Sequence, residues 1–161
     1  MRGEKLMTNT HVLLISYSNS AALKKALESL KFIEHRIKGI SILEDTKFPI
    51  QLTDFSINRE INYIKLIQDD LGITLNEHIE KLSAEYILFL YDQDYFNINI
   101  KNINLELYND KYVMTYPYLI KEKVIQRPFL VKTDFLKKTT FFSKHQIPFR
   151  EAILPAWLSK L

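Results

Sequence analysis

The apolar positions fall into short blocks separated by polar punctuation. "HVLLIS", His11 to Ser16, is a compact apolar run bounded by polar residues and reads as a buried strand. "SNSAALKKALESL" follows, with Leu23, Ala26, Leu27 and Leu30 at i, i+3, i+4 and i+7. That stripe predicts a helix, with Asn19 or Ser20 as its cap. "RIKGISILED" predicts a second strand that ends in acids, Glu44 and Asp45. A strand, a helix and a strand in this order, the first strand buried, make a parallel unit.

Phe48 to Phe55 fits a short strand or a loop. "INREINYIKLIQDDLG" places Ile57, Ile61 and Ile64 at helical spacing, which predicts a helix stopped at Gly72. "TLNEHIEKL" opens with Thr74 and Glu77 at capping-box spacing, which predicts a second helix start. "AEYILFLYDQDYF", Ala84 to Phe96, predicts a central strand ending in Asp92 and Asp94. "KYVMTYPYLI" and "KVIQRPFLVKTDFL" predict strands of a mixed or antiparallel addition, where Pro117 and Pro128 mark edges or bulges. "PFREAILPAWLSKL" predicts a terminal helix whose last turns Pro155 starts or kinks.

The expected fold class is α/β: a mixed, mainly parallel sheet flanked by helices, with a strand-rich second half. A length of 161 residues without repeat or linker fits a flexible leader, 1–10, and one domain, 11–161. Three glycines leave no glycine-rich phosphate loop. The absence of cysteine excludes disulfides and thiolate metal sites, and suits the reducing cytoplasm. A net charge of +3 does not point to nucleic acid. No apolar run reaches the roughly 20 residues of a membrane-spanning helix. The basic run Lys121, Lys123, Arg127, Lys132, Lys137, Lys138, Lys144 and Arg150 reads as a solvated face interleaved with Glu122 and Asp134, and is compatible with peripheral contact at an inner membrane face.

Candidate chemistry concentrates where strands end. Ligands of open α/β sheets bind beyond the carboxyl ends of strands, where Glu44, Asp45, Asp92 and Asp94 are expected. Paired carboxylates suit Mg²⁺ or Mn²⁺, and through it a diphosphate; acids in such places are also ordinary turn residues. His11, His35, His78 and His145 lack HxxxH or HExxH spacing and read as surface or structural residues. Ser16, Ser18 and Ser20 lack the G-x-S-x-G elbow, which disfavours a serine hydrolase. Trp157 reads as core rather than as a sugar platform.

These pieces, in this order, resemble the family 2 glycosyltransferases, whose nucleotide-sugar domain has the GT-A fold. "ISYSNSAALKKALESL" resembles the pattern "PTYNRxxxLxxALESL", with Tyr17 on its tyrosine. "ISILED" resembles the strand ending in "VDD", with Glu44 and Asp45 on its acids. "TLNEHIEKLSAEYILFL" resembles "ARNxGIxxAxGEYIxFL" without a gap, with Asn76 on its asparagine, and "YDQDYF" then stands where the D-x-D motif belongs. "IPFREAILPAWL" resembles the acceptor-side segment, with Glu151 as its acid. The resemblance covers most of the chain from His11, except around Lys47 to Leu71.

The resemblance implies a metal-assisted, inverting transfer from a nucleotide-diphosphate sugar to a glycan, lipid-linked or protein acceptor. Asp92 and Asp94 would hold Mn²⁺ or Mg²⁺; Tyr17, Glu44, Asp45, Asn76 and Asp92 would contact the nucleotide; Glu151 would be the general base. Some positions depart: Leu75 and His78 replace the motif arginine and glycine. Counted from Tyr86 to Leu90, the family's aspartates align with Tyr91 and Gln93, so both acids fall one residue late. In an alternating strand that shift turns them away unless a bulge intervenes. The alternative expectation is therefore an inactive GT-A-like binding or interaction module. An unrelated receiver-like or flavodoxin-like fold is disfavoured by the strand-rich stretch after Asn109.

Overall fold

The computed structural model describes residues 9–16, 20–44, 57–67, 69–96, 112–120, 122–139, 142, 153–159 and 161. Within them the strands are β1 (Thr10–Ile15), β2 (Ile37–Glu44), β3 (Ile61–Lys65), β4 (Tyr86–Tyr91), β5 (Val113–Ile120) and β6 (Lys123–Lys132). The α-helices are α1 (Ser20–Ser29), α2 (Leu71–Lys81), α3 (Thr133–Lys138) and α4 (Ile153–Leu158). A 3₁₀ segment, Leu30–Arg36, continues α1 into β2.

The strands form one six-stranded sheet in the order β3-β2-β1-β4-β6-β5. The first four are parallel to one another; β6 joins β4 antiparallel, and β5 pairs antiparallel with β6. β1 and β4 lie at the centre and every residue of both is buried. Their side chains alternate between two cores. Val12, Leu14, Leu88 and Leu90 face α1 with Leu23, Ala26 and Leu27. Leu13, Ile15, Ile87, Phe89 and Tyr91 face α2 and α4 with Leu71, Leu75, Ile79, Leu154 and Trp157. The result is the expected mainly parallel α/β sheet with helices on both faces. Trp157 is core, packed 5.8 Å from the Phe142 ring.

Pro117 and Pro128 sit where a missing N–H is tolerated. Pro117 is on β5, an edge strand. Pro128 pairs with Thr115 beside a register shift at Met114/Thr115, a bulge that leaves Phe129 unmatched.

The helix expected over Ile57 to Gly72 is not formed. Ile61 to Lys65 is edge strand β3, and Gly72 lies in the first turn of α2. The three-residue spacing of Ile61 and Ile64 misleads because a strand sends such a pair to opposite faces. Ile61 packs on the α1-side core and Ile64 on the α2-side core. An edge strand covered on both faces needs only that. The expected capping box is also displaced. Asp70 is the N-cap of α2, its carboxylate accepting the Ile73 N–H at 2.9 Å. Thr74 sits one turn inside, its hydroxyl donating to the Asp70 carbonyl at 2.7 Å and accepting the Ile67 N–H at 2.8 Å. Ser20 is the first residue of α1, and β1 begins at Thr10, within the expected leader. Asn19 and the ambiguous segment Phe48 to Phe55 lie outside the described residues.

Two substitutions distinguish these capping assignments. Asp70→Ala is expected to lower stability in urea by about 1 kcal/mol. Glu77→Ala, at an exposed position, is expected to change it by less than about 0.5 kcal/mol; the reverse ranking would restore the Thr74–Glu77 box.

Candidate functional site

Parallel strands deliver their carboxyl ends to one edge. β1 lies at the switch point of the topology, with β2 and β3 on one side and β4 on the other. Open α/β sheets bind ligands at such a point, beyond the carboxyl ends of the strands. Ser16 and Asp92 are the first residues beyond the two strands that flank it. Main-chain bonds fix both: the Ser16 N–H donates to the Leu43 carbonyl at 3.0 Å, and the Asp92 N–H to the Ile15 carbonyl at 3.1 Å. Asp92 is 1% exposed, and its carboxylate accepts the Ser16 hydroxyl at 3.2 Å. A charged carboxylate is rarely buried without such a donor.

The ladder between β1 and β4 runs in unbroken register from Thr10↔Tyr86 to Ile15↔Tyr91, so no bulge precedes the acids. Asp94 follows a different course from Asp92. Its Oδ2 accepts the Tyr91 N–H at 2.8 Å, and its own N–H donates to the Tyr91 carbonyl at 2.9 Å. The reason lies in the sheet. β6 pairs with β4 from Tyr86 to Leu88, so among the described residues no strand continues alongside Tyr91 on that side of β4. Asp94 supplies the acceptor. Beyond it, the Lys25 ammonium lies 3.8 Å from the centre of the Tyr95 ring, and the Phe96 N–H donates to Ser29 Oγ at 3.0 Å. The turn Asp92–Gln93–Asp94 is therefore tied to β1 on one side and to α1 on the other, with Gln93 exposed between.

The structure brings Asp92, Asp94 and the backbone of Glu44 to this edge, where Glu44 pairs with Lys65 one residue past the Leu43 carbonyl. Tyr17, Asp45 and Glu151 lie outside the described residues. Asn76 stands apart from these acids. Both ends of its amide are engaged by the main chain of Phe142, Nδ2 donating to the carbonyl at 2.8 Å and Oδ1 accepting the N–H at 2.9 Å. Phe142 in turn packs edge-on against Phe89, 6.1 Å between centroids. Ser16 escaped the sequence reading, which weighed it only as a nucleophile. The signal was its place, a hydroxyl closing an all-apolar strand.

Among the described residues, no group of three or more histidine, cysteine or acidic side chains is placed to hold a metal. The donor chemistry of Asp92 and Asp94 nevertheless fits Mg²⁺ or Mn²⁺. Magnesium typically takes one or two protein carboxylates and fills its shell with phosphate and water.

No family model and no curated protein matches the sequence. Solved structures do match the fold. Residues 1–349 of TarS from S. aureus, a glycosyltransferase, superpose with a TM-score of 0.57 at 13% identity, over 92% of this chain and 55% of that one. A longer TarS structure gives 0.52 at 14% identity, over 83% of this chain and 30% of that one. HddC from Yersinia pseudotuberculosis gives 0.49 at 9% identity, over 89% and 85%. The fold is thus glycosyltransferase-like, and the chain spans about half the length of the shorter TarS structure. No described helix is long and apolar enough to cross a membrane.

The two acids are expected to differ when substituted in metal-free buffer. Asp94→Ala, which strands the Tyr91 N–H, is expected to cost about 1–3 kcal/mol in urea unfolding. Asp94→Asn keeps a carbonyl acceptor and is expected to cost less than about 1 kcal/mol. Ser16→Ala takes the hydroxyl from a buried carboxylate and is expected to match the alanine value at Asp94.

Proposed function

We propose that this chain is the nucleotide-sugar-binding domain of a glycosyltransferase, taking a nucleotide-diphosphate sugar in the crevice between β1 and β4. The observation that carries the reading is the buried carboxylate of Asp92, braced by Ser16 at the switch point of a glycosyltransferase-like sheet. Asp92 and Asp94 would hold Mn²⁺ or Mg²⁺ against the donor diphosphate. When bound, the ion supplies Lewis-acid stabilisation of the departing nucleoside diphosphate. Tyr17, Glu44 and Asp45, at or just beyond the ends of β1 and β2, would meet the base and ribose. Asn76, also expected at the nucleotide, would support the site by holding the chain at Phe142. Glu151, two residues before α4, would take the acceptor hydroxyl proton as general base, giving inversion at the sugar carbon. The acceptor would be a glycan, a lipid-linked saccharide or a protein, met in the cytoplasm or at the inner membrane face.

A second reading keeps the fold and drops the transfer. It draws on the unbulged end of β4 and on Asp94 serving the Tyr91 N–H. The chain would then be a binding or interaction module.

Calorimetry with uridine and guanosine diphosphates, with and without Mn²⁺, tests the first reading. One of the two is expected to bind in a Mn²⁺-dependent manner, and Asp92→Asn and Asp94→Asn are each expected to weaken that binding at least about 10-fold, roughly the 1.4 kcal/mol of one lost charged contact. Binding of neither nucleotide with metal present overturns it. Mn²⁺-independent binding without donor hydrolysis, unaffected by Asp94→Asn, selects the module.

A further inference from the structure

At the opposite edge of the sheet, α2 is fastened by a buried polar cluster that the proposed nucleotide site does not use. His11 of β1 and Ser41 of β2 lie on the face that α2 covers, in step with Leu13, Ile15 and Leu43. His78 reaches them from α2. Ser41 Oγ lies 2.7 Å from Nε2 of His11 and 2.8 Å from Nε2 of His78. The two rings are 5.9 Å apart and tilted by 56°. Ser41 is fully buried and His11 nearly so. Gly39 makes room for the arrangement, since a Cβ there would come within 3.2 Å of the His11 ring.

One hydroxyl has one proton to give. Ser41 therefore donates to one imidazole and accepts an N–H from the other. Both bonds form only when one ring carries a proton on Nε2 and the other leaves its Nε2 free, its own proton on Nδ1; a second proton on Nδ1 of the donating ring breaks neither. A further proton on the accepting ring aims two N–H groups at the same oxygen and deprives the hydroxyl proton of its acceptor. Among the described residues, the surrounding groups offer no compensation. Lys38 of β2 and Lys81 of α2 bring positive charge, and Lys38 is turned to Ser83 Oγ at 3.2 Å. Beside His11 on β4 is Ile87, and beside Ser41 on β3 is Asn62, neither ionisable. The carboxylates of α2, Glu77 and Glu80, are exposed, and Lys137 of α3 bonds to the Glu80 and Leu82 carbonyls.

We propose that His11, Ser41 and His78 form an acid-released latch, in which a proton on the imidazole that accepts the Ser41 hydroxyl frees α2 from the sheet while the strands stay paired. The electrostatics agree. Burial first, then His78 and Lys38, lowers the His11 pKa from 6.5 to about 4. Burial, then Lys81, lowers that of His78. Both rings bind protons more readily once released. The latch is thus fully closed above the unfolded value near 6.5 and weakens progressively as pH falls from there to about 4. Release would also loosen Asn76 from Phe142.

Imidazole ¹⁵N spectra and amide exchange of the whole chain, corrected for intrinsic rates, test this between pH 7.5 and 3.5. The expected spectra show complementary neutral tautomers persisting well below pH 6.5. The opening equilibrium over Leu71–Lys81 is expected to rise on the order of 100-fold between pH 6.5 and 4, ahead of β1 and β4. Ser41→Ala should move both titrations and the release to higher pH, and His78→Gln should flatten the release. Either ring titrating near 6.5, identical tautomers, or α2 and the central strands opening with one pH profile would overturn the latch. The wild-type spectra decide the matter if a variant does not fold.

Discussion

The pairing of β1 with β4 constrains everything else in this molecule. Both strands are buried on both faces, and six consecutive residue pairs hold them in parallel register. Inside such a pair a polar side chain has no place to go, so the alternating positions are given to leucine, isoleucine, valine and aromatic residues. Burying each such side chain contributes roughly 1.5–3 kcal/mol. Polar chemistry is pushed to the two ends of the pair. Beyond the carboxyl ends come Ser16 and Asp92; near the amino end comes His11. The candidate cleft and the imidazole cluster are two consequences of one packing rule.

The same constraint shapes the acidic turn. β4 continues past its last pair with β6 at Leu88, so among the described strands the Tyr91 N–H faces a gap in the sheet. A buried amide without an acceptor would cost as much as a lost hydrogen bond. Asp94 closes that gap by folding back, and the chain then crosses α1, where Tyr95 meets Lys25 and Phe96 meets Ser29. These contacts, with the Asp92 N–H on the Ile15 carbonyl, hold a short turn and keep Asp92 and Asp94 fixed relative to the switch point.

What could be read from the sequence follows from how local each cause is. The central strands are legible because a strand buried on both sides needs an unbroken apolar run. The first helix is legible because its stripe repeats over two turns, and the β5–β6 ribbon because Pro117 and Pro128 suit only an edge and a bulge. β3 is not legible: an edge strand half-covered on both faces needs only Ile61 and Ile64, whose spacing imitates a helix. Asp70 is hidden as a cap because Asp69 stands beside it and Thr74 imitates one. Ser16 with Asp92, and Ser41 between two histidines, join residues 30 to 76 positions apart. Only the sheet order brings them together, and no single motif encodes that order.

The structural duty of Asp94 sets a condition on the proposed chemistry. A carboxylate spent on the Tyr91 N–H looks lost to a cation. Yet a carboxylate accepts several bonds, and one to a backbone amide fixes the group without neutralising it. Ligating side chains are ordinarily held by such partners, which set their direction before the ligand arrives. A D-x-D pair lying one residue late could then serve without a bulge. The turn would reorient the second acid by using the N–H that β6 abandons, and Ser16 would orient the first. The displacement would then be a different local solution to the same requirement: two carboxylates held at the switch point of a parallel sheet.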